Sequence, residues 1–517
     1  MKKYLSIFLL AIIFTFSGCA GGLSGSSSED SSFDSVTSEE TSDSSEEHTH
    51  ADDDENGYCD VCELIMHEHA DTNDDDKCDV CQAATAITLD LYSINDIHGK
   101  FEDTYANIGV DEMSTYLRRA KTENENTILL SAGDAWQGGA ASYFTKGEIF
   151  TEWMNDMGFA AMALGNHEFD WGESYIEQNA EIAEFPFLGI NVYDKTTDKR
   201  KDYCQPSVVV ETSGVKIGII GAIGDCLSSI AAEQVENVYF KTDDELTELV
   251  KAESTRLREE MGVAAVVYLL HDAEVSNANY YDLELSDGYV DVVFEGHSHT
   301  KVQKQDAHGV WHLQAYGDNS KGVSHAKLKI DILDETVSTE QAHIIYHDAY
   351  SGMQGDPIVN TLLQKYAAEL ETPNEVLGYN NLYRNSDALA SAAAQAMYTA
   401  GEERWGSDSK YAGKIVCGGG FINVRSPYYL PEGEVKYGDI YSLFMFDNPV
   451  ILCSVSGYRL QKQFYESTNY VCYYGAYGES LRDNVDINET YYVVVDTYCA
   501  NYNFKNMGYM TIVEYYD

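Results

Sequence analysis

Basic residues are what this chain most lacks. Lys and Arg together number 33 against 86 Asp and Glu, for a formal net charge of −53 over 517 residues. Nothing resembles a clustered Lys/Arg stripe, so a groove tracking a nucleic-acid backbone is excluded as a working expectation. Long apolar runs are missing beyond the first twenty residues, and no later segment is built to span a bilayer. A G-x-S-x-G turn and a P-loop are both absent, which leaves serine acyl transfer and ATP-driven chemistry without support.

The opening stretch, MKKYLSIFLLAIIFTFSGCA, has a basic start, an apolar run too short for a span, and small residues around Cys19. It reads as a secretion signal over 1–19. The FSGC tetrad resembles a bacterial lipobox, with Phe16 where Leu is more usual, so Cys19 is the expected lipidation site and the membrane the expected anchor. Plain cleavage and release is the other outcome. Residues 20–47 are a Ser/Asp/Glu tract too polar to fold by burial, read as a solvated stalk.

Residues 48–85 hold a tandem repeat. HADDDENGYCDVC (50–62) returns as HADTNDDDKCDVC (69–81). Each copy has a C-x-x-C (Cys59 and Cys62; Cys78 and Cys81) and a preceding H-x-H (His48 and His50; His67 and His69). Two thiolates with two imidazoles suit zinc. The first copy also fits a calcium loop, with Asp52, Asp54, Asn56, Gly57, Asp60 and Glu63 at the ligand and turn positions. The second copy departs from it at Asp76 and Gln82. In an extracytoplasmic compartment a disulfide within each C-x-x-C is the third reading.

From Ile87 onward the chain reads as globular, and its length calls for more than one core. Apolar runs end in SINDIHG (Asp96, His98), SAGDAWQGG (Asp134), ALGNHEFDWG (Asn166, His167, Asp170), YLLHD (His271) and FEGHSHT (His297, His299). Such runs predict buried strands, with the polar residues in the loops that leave them. Strands alternate with helical stretches at 148–158 and about 243–260, which implies an α/β architecture. Seven carboxylate, amide and imidazole donors at neighbouring strand ends point to one cleft holding Mn, Fe, Zn or Co. His312 alternates on a strand and is expected to be structural.

D-x-H, G-D, G-N-H-E-x-D, H and G-H-x-H in this order resemble the calcineurin-like metallophosphoesterases. The NHEFD form resembles the branch of secreted 5'-nucleotidases, UDP-sugar hydrolases and 2',3'-cyclic-nucleotide phosphodiesterases. The resemblance implies a four-layer αββα sandwich over 86–350, a connecting helix over 351–373, and a smaller α/β substrate-binding domain over 374–517. It implies two divalent ions, one on Asp96, His98, Asp134 and His299, the other on Asp134, Asn166, His271 and His297. A hydroxide activated by both would attack phosphorus. His167 would stabilise charge on the phosphoryl or leaving oxygen, with Asp170 holding its other nitrogen. Asp170 could instead cap a helix starting at WGESYIEQ.

In the C-terminal part, Arg384 and Arg425 resemble substrate-binding arginines, Phe446 and Tyr498 the aromatic pair that sandwiches a base, and Asn448 its hydrogen-bond partner. KNMGY stands where the branch often has G-G-D-G-Y, with Met507 at the Asp position that can bind ribose. Core packing is the competing reading for both rings. The expectation is therefore a lipid-anchored, extracytoplasmic hydrolase of nucleotide phosphate esters, with no nucleic-acid polymer or protein partner implied. Cyclic-nucleotide or nucleotide-sugar cleavage is the nearest alternative. A surface metal-binding lipoprotein with a vestigial phosphatase is the alternative of another class.

Overall fold

Two six-stranded sheets carry the first half of the molecule, and their strand order explains where the polar loops meet. The computed structural model describes residues 69–73, 75–103, 108–272, 282–317, 322–420, 422, 424–425, 429–446, 448–461, 471–473, 485–500 and 511–515. Cys19, His48, His50, Cys59, Cys62, His67 and Met507 lie outside them.

The strands of this half are β1 (Ala86–Ile94), β2 (Thr127–Ser131), β3 (Phe159–Ala163), β4 (Phe187–Leu188), β5 (Val192–Asp194), β6 (Ser207–Thr212), β7 (Val215–Ile223), β8 (Val238–Phe240), β9 (Ala265–His271), β10 (Val292–Glu295), β11 (Val302–Gln305), β12 (Trp311–Gln314), β13 (Gly322–Asp331) and β14 (Thr336–Tyr346). One sheet runs β14-β13-β1-β2-β3-β4 and the other β11-β12-β10-β9-β7-β6, while β5 and β8 pair separately. In the first, β1 to β4 are mutually parallel and β13 and β14 add antiparallel edges. In the second, β12, β10, β9 and β7 are parallel, edged by antiparallel β11 and β6. Parallel strands need crossovers, here through helices α1 (Asp111–Glu123), α2 (Ala140–Phe144), α3 (Glu148–Met157), α4 (Glu173–Ile182), α5 (Asp243–Glu259) and α6 (Asp282–Leu285).

The period of two sorts side chains into layers. On β9, Ala265, Val267 and Leu269 join Leu89, Leu91, Leu130 and Leu188 of the first sheet in one core between the sheets. The intervening Val266, Tyr268 and Leu270 pack with Leu246, Val250 and Leu257 of α5. On β1, Tyr92 and Ile94 turn the other way, toward Met113 and Leu117 of α1 and Phe150 and Trp153 of α3. Helices thus cover both outer faces, giving the four-layer αββα sandwich. Both faces of the central strands are buried, and a buried Leu or Val is worth roughly 1.5–3 kcal/mol. Glycine at 221 lets the sheets close up, because a Cβ there would lie 2.3 Å from Leu188 Cβ.

Beyond β14, Asp356 caps α7 (Pro357–Lys365) by accepting from the Ile358 N–H. The helix is shorter than the expected connector and packs Val359 and Leu362 against the α1 and α3 side. The smaller part contains β15 (Val376–Asn380), β16 (Arg384–Asn385), α8 (Ser386–Trp405), β17 (Ile415–Gly420), β18 (Tyr429–Leu430), β19 (Gly433–Lys436), α9 (Tyr437–Leu443), β20 (Val450–Ser456), β21 (Val471–Tyr473), β22 (Thr490–Asp496) and β23 (Thr511–Tyr515). Its main sheet runs β21-β17-β22-β20-β23. The glycines at 418–420 belong to β17. Among the described residues no helix is long and apolar enough to cross a membrane.

Candidate metal centre

All seven proposed ligands leave the C-terminal ends of parallel strands. Asp96 and His98 follow β1, Asp134 follows β2, Asn166 follows β3, His271 closes β9, and His297 and His299 follow β10. The first three strands belong to one sheet and the last two to the other, so the loops converge over the seam.

The backbone at these positions is unusual in a way the sequence hides. Among the described residues twelve non-glycine residues have positive φ. Five of them are Asp96 (49°), His98 (52°), Asp134 (55°), His297 (76°) and His299 (55°). A side chain held in this region costs on the order of 1–3 kcal/mol and persists only where the surroundings enforce it. Such concentration marks a functional site, since strain of this kind gains nothing in packing.

The donors fall into two overlapping groups. One oxygen or nitrogen from each of Asp96, His98, Asp134 and His299 lies within 4.8 Å of the others, and the same holds for Asp134, His271 and His297. Asp134 is common to both. His98 Nε2 faces His299 Nε2 at 2.8 Å, and His299 Nε2 is 3.3 Å from Asp96 Oδ1. On the other side Asn166 Oδ1 lies 3.1 Å from His271 Nε2 and 2.8 Å from His297 Nδ1. Asp134 Oδ2 is buried without a hydrogen bond and sits 3.2 Å from His271 Nε2.

Second partners orient the rings. His271 Nδ1 donates to Ala132 O at 2.7 Å and His98 Nδ1 to Gln137 O at 3.0 Å, which turns both Nε2 atoms into the cluster. Burial, then the neighbouring His299 and His167, push His98 down to about 3, so its Nε2 presents a lone pair. Burial also opposes charge on His271, yet Asp134 and Asp96 outweigh it and raise the ring to about 10. The cluster therefore attracts positive charge strongly. Its mix of carboxylate, amide and imidazole donors, with one carboxylate common to both groups, fits a pair of divalent cations.

His167 and Asp170 stand beside this cluster. His167 Nδ1 meets Asp170 Oδ2 at 2.6 Å. Burial works against the imidazolium, but Asp170 and Asp134 lift His167 to about 8. Helix α4 starts after Gly172 with no side-chain cap, so Asp170 serves His167 and not the helix. The His167 N–H also donates to Asp134 Oδ1 at 2.8 Å.

Three supporting residues carried no role in the sequence reading. Glu168, fully buried, accepts from the N–H groups of Asp134 (2.9 Å), Ala135 (2.8 Å), Trp136 (3.3 Å) and Gly165 (2.8 Å), tying two ligand loops together. Asn95 donates to Asp96 Oδ2 at 2.6 Å and exchanges bonds with the Ala315 backbone. Gln137 Nε2 donates to Met445 O at 3.0 Å, joining the β2 loop to the smaller part of the molecule. The Glu of GNHE was the one visible signal, since a carboxylate behind a glycine turn has few ways to be buried. His312, as expected, is structural: its ring bridges Glu295 at 2.8 Å and Asp306 at 3.3 Å beneath the GHSH loop.

Of the expected substrate-binding residues, two reach the centre. Phe446 lies with its ring centroid 5.8 Å from that of His167, planes 30° apart, and Arg425 lies over the Phe446 ring at 5.5 Å. Tyr143 against Tyr441, at 4.2 Å, seats α9 on α2 and so places this segment. Arg384 stands exposed at the start of β16, Asn448 is half-buried, and Tyr498 is exposed.

Strand-end carboxylates and imidazoles across two facing sheets are the architecture of metallophosphoesterases. Residues 91–301 match the calcineurin-like phosphoesterase family. Among curated relatives, Endonuclease YhcR of Bacillus subtilis is 25% identical over 417 residues, 73% of this chain and 32% of that protein. The 5'-nucleotidase of Vibrio cholerae is 29% identical over 237 residues, 43% of this chain and 42% of that protein. The chain thus spans less than half the length of either. The crystal structure of a 5'-nucleotidase precursor from Thermus thermophilus superposes with a TM-score of 0.59 at 21% identity, covering 80% of this chain and 90% of that one. That likeness speaks to the fold, including a metallophosphoesterase half followed by a C-terminal domain.

Proposed function

We propose that this protein is an extracytoplasmic, metal-dependent hydrolase of nucleotide phosphate esters, of 5'-nucleotidase type. The observation that carries the reading is the shared Asp134 between two donor groups, with the hydrogen-bonded His167–Asp170 pair and Phe446 at its edge. The resemblance to 5'-nucleotidases supports the substrate class.

Divalent ions, when bound, supply Lewis-acid charge to the phosphoryl oxygens and an activated water. The chain's own residues do the rest. Asp170 keeps the proton on His167 Nδ1, so the ring stays cationic near neutral pH and its Nε2–H serves as a donor to the developing charge. Arg425 adds a second positive charge close by. Phe446 offers a flat face on which a base can stack, a contact that tolerates different bases. The expected lipid on Cys19 would hold the enzyme outside the membrane, with 20–47 as the stalk.

Phosphate release by the purified chain tests this, with Mn, Zn or Co and a panel of AMP, ATP, UDP-glucose, 2',3'-cyclic AMP and a non-nucleotide ester. Metal-dependent turnover of a nucleotide, lost in Asp134→Ala, is the expected outcome. Cleavage of the simple ester alone would keep the phosphoesterase and discard the nucleotidase. No turnover at all would favour a metal-binding surface protein. Labelling with a radioactive fatty acid, lost in Cys19→Ser, checks the anchor.

A further inference from the structure

We propose that His69, Cys78 and Cys81 form a separate structural zinc site, independent of the phosphoesterase centre. Nδ1 or Nε2 of His69 and the two Sγ atoms lie within 4.8 Å of one another. His69 Nδ1 is 3.4 Å from Cys81 Sγ. A tetrahedral zinc with bonds of about 2.3 Å to sulfur and about 2.0 Å to nitrogen has S···N edges of about 3.5 Å and S···S edges of about 3.8 Å. The His69–Cys81 separation matches that S···N edge, the other donor pairs lie within 4.8 Å, and the fourth corner is left for water or another donor.

The local backbone is shaped around the sulfur. Cys78 N–H donates to Ala83 O at 2.8 Å, Gln82 N–H to Cys78 O at 2.9 Å, and Asp79 N–H to Ala70 O at 2.8 Å. Asp76 and Gln82 take positive φ of 62° and 60° to make these turns. Cys78 and Cys81 are not joined in a disulfide.

Burial alone does not hold this segment. Between 69 and 85, Cys78 is the one buried apolar side chain among the described residues, while Val80 is largely exposed. A loop of this size with no core needs a cross-link or a metal to keep one conformation. Soft thiolates and an imidazole select zinc over calcium, whose oxygen donors they do not offer. The Asp76–Lys329 ion pair, at 2.6 Å, then ties the segment to β13.

Cobalt separates this site from the catalytic one, because only thiolate ligands give a sulfur-to-metal charge-transfer band and the phosphoesterase cluster has none. The full chain carrying Cys59→Ser and Cys62→Ser, which leaves one C-x-x-C, should show the band on loading with Co(II). Adding Cys78→Ser and Cys81→Ser should abolish it and lower zinc content by one equivalent per chain, with phosphoesterase turnover unchanged as the check on folding. His69→Gln, a milder variant, should weaken zinc binding at least about tenfold. Absence of the band, or a Cys78–Cys81 disulfide in unreduced peptide maps of the native protein, would overturn the proposal.

Discussion

Replacing Glu168 by glutamine sets two large effects against each other. Each carboxylate oxygen accepts two backbone N–H groups, Oε1 from Ala135 and Trp136 and Oε2 from Asp134 and Gly165. Glutamine keeps one oxygen and turns an NH2 toward the other pair of donors. Two bonds to a charged acceptor are lost, at about 1.5–3 kcal/mol each, or about 3–6 kcal/mol. The neutral amide in turn removes a buried charge. Burial first, then Asp134, push Glu168 from its ordinary 4.5 up to about 7. That displacement is equivalent to roughly 3 kcal/mol. The net destabilisation should be about 0–3 kcal/mol, within about 10 °C of the parent Tm. Geometry has no such offset. The displaced N–H groups belong to the Asp134 loop, so metal affinity and kcat should each fall about 10–100-fold. Glu168→Ala leaves all four amides unpaired and should melt far lower. Thermal melts at pH 7, together with kcat against Mn concentration, separate these outcomes. Parent-level activity in Glu168→Gln, or melting no different from Glu168→Ala, would refute the assigned role.

Other substitutions probe the same logic elsewhere. A Cβ at Gly165 would lie 2.3 Å from Asp134 Oδ1 and 2.6 Å from its backbone nitrogen, so Gly165→Ala should cost most of the metal affinity in a titration. Gly221→Ala instead meets Leu188 between the sheets and should cost about 1–3 kcal/mol in denaturant melts while leaving KM unchanged. Phe446→Ala should raise KM for a nucleotide about tenfold and barely change it for a small phosphate ester, since stacking is worth about 1–3 kcal/mol; equal effects would make the ring a packing residue. Burial pushes Cys204 and Cys453 up to about 12 and Cys226 well above its ordinary value. At pH 8 iodoacetamide should therefore modify these three roughly a thousandfold more slowly in the native protein than in denaturant, as read by peptide mass.

The core strands were legible because both faces of a doubly covered parallel sheet are apolar, so β9 and β10 read as unbroken runs. The ligands were legible for the converse reason, as polar side chains where those runs stop. Short strands such as β4, two residues long, leave no such trace. Positive φ at Asp96 or His297 was also hidden, because no glycine marks it. Glu168 stood in view within its motif, yet three of its four partners are amides in a loop some 33 residues earlier, a distance no local pattern encodes. The Gln137–Met445 bond spans 308 residues and is decided by how the smaller part docks. Arg384 and Arg425 look alike in sequence; only the fold brings one of them to Phe446.

The seam between the sheets has a consequence for the life of the molecule. Each donor group draws on both sheets: His299 faces the loops of β1 and β2, and His271 and His297 face Asp134 and Asn166. Neither sheet can assemble a complete set alone. The reactive centre is therefore a keystone, present only once both halves of the sandwich have closed. Cations that favour the closed form would stabilise it by mass action, so metal binding would report that both halves have come together.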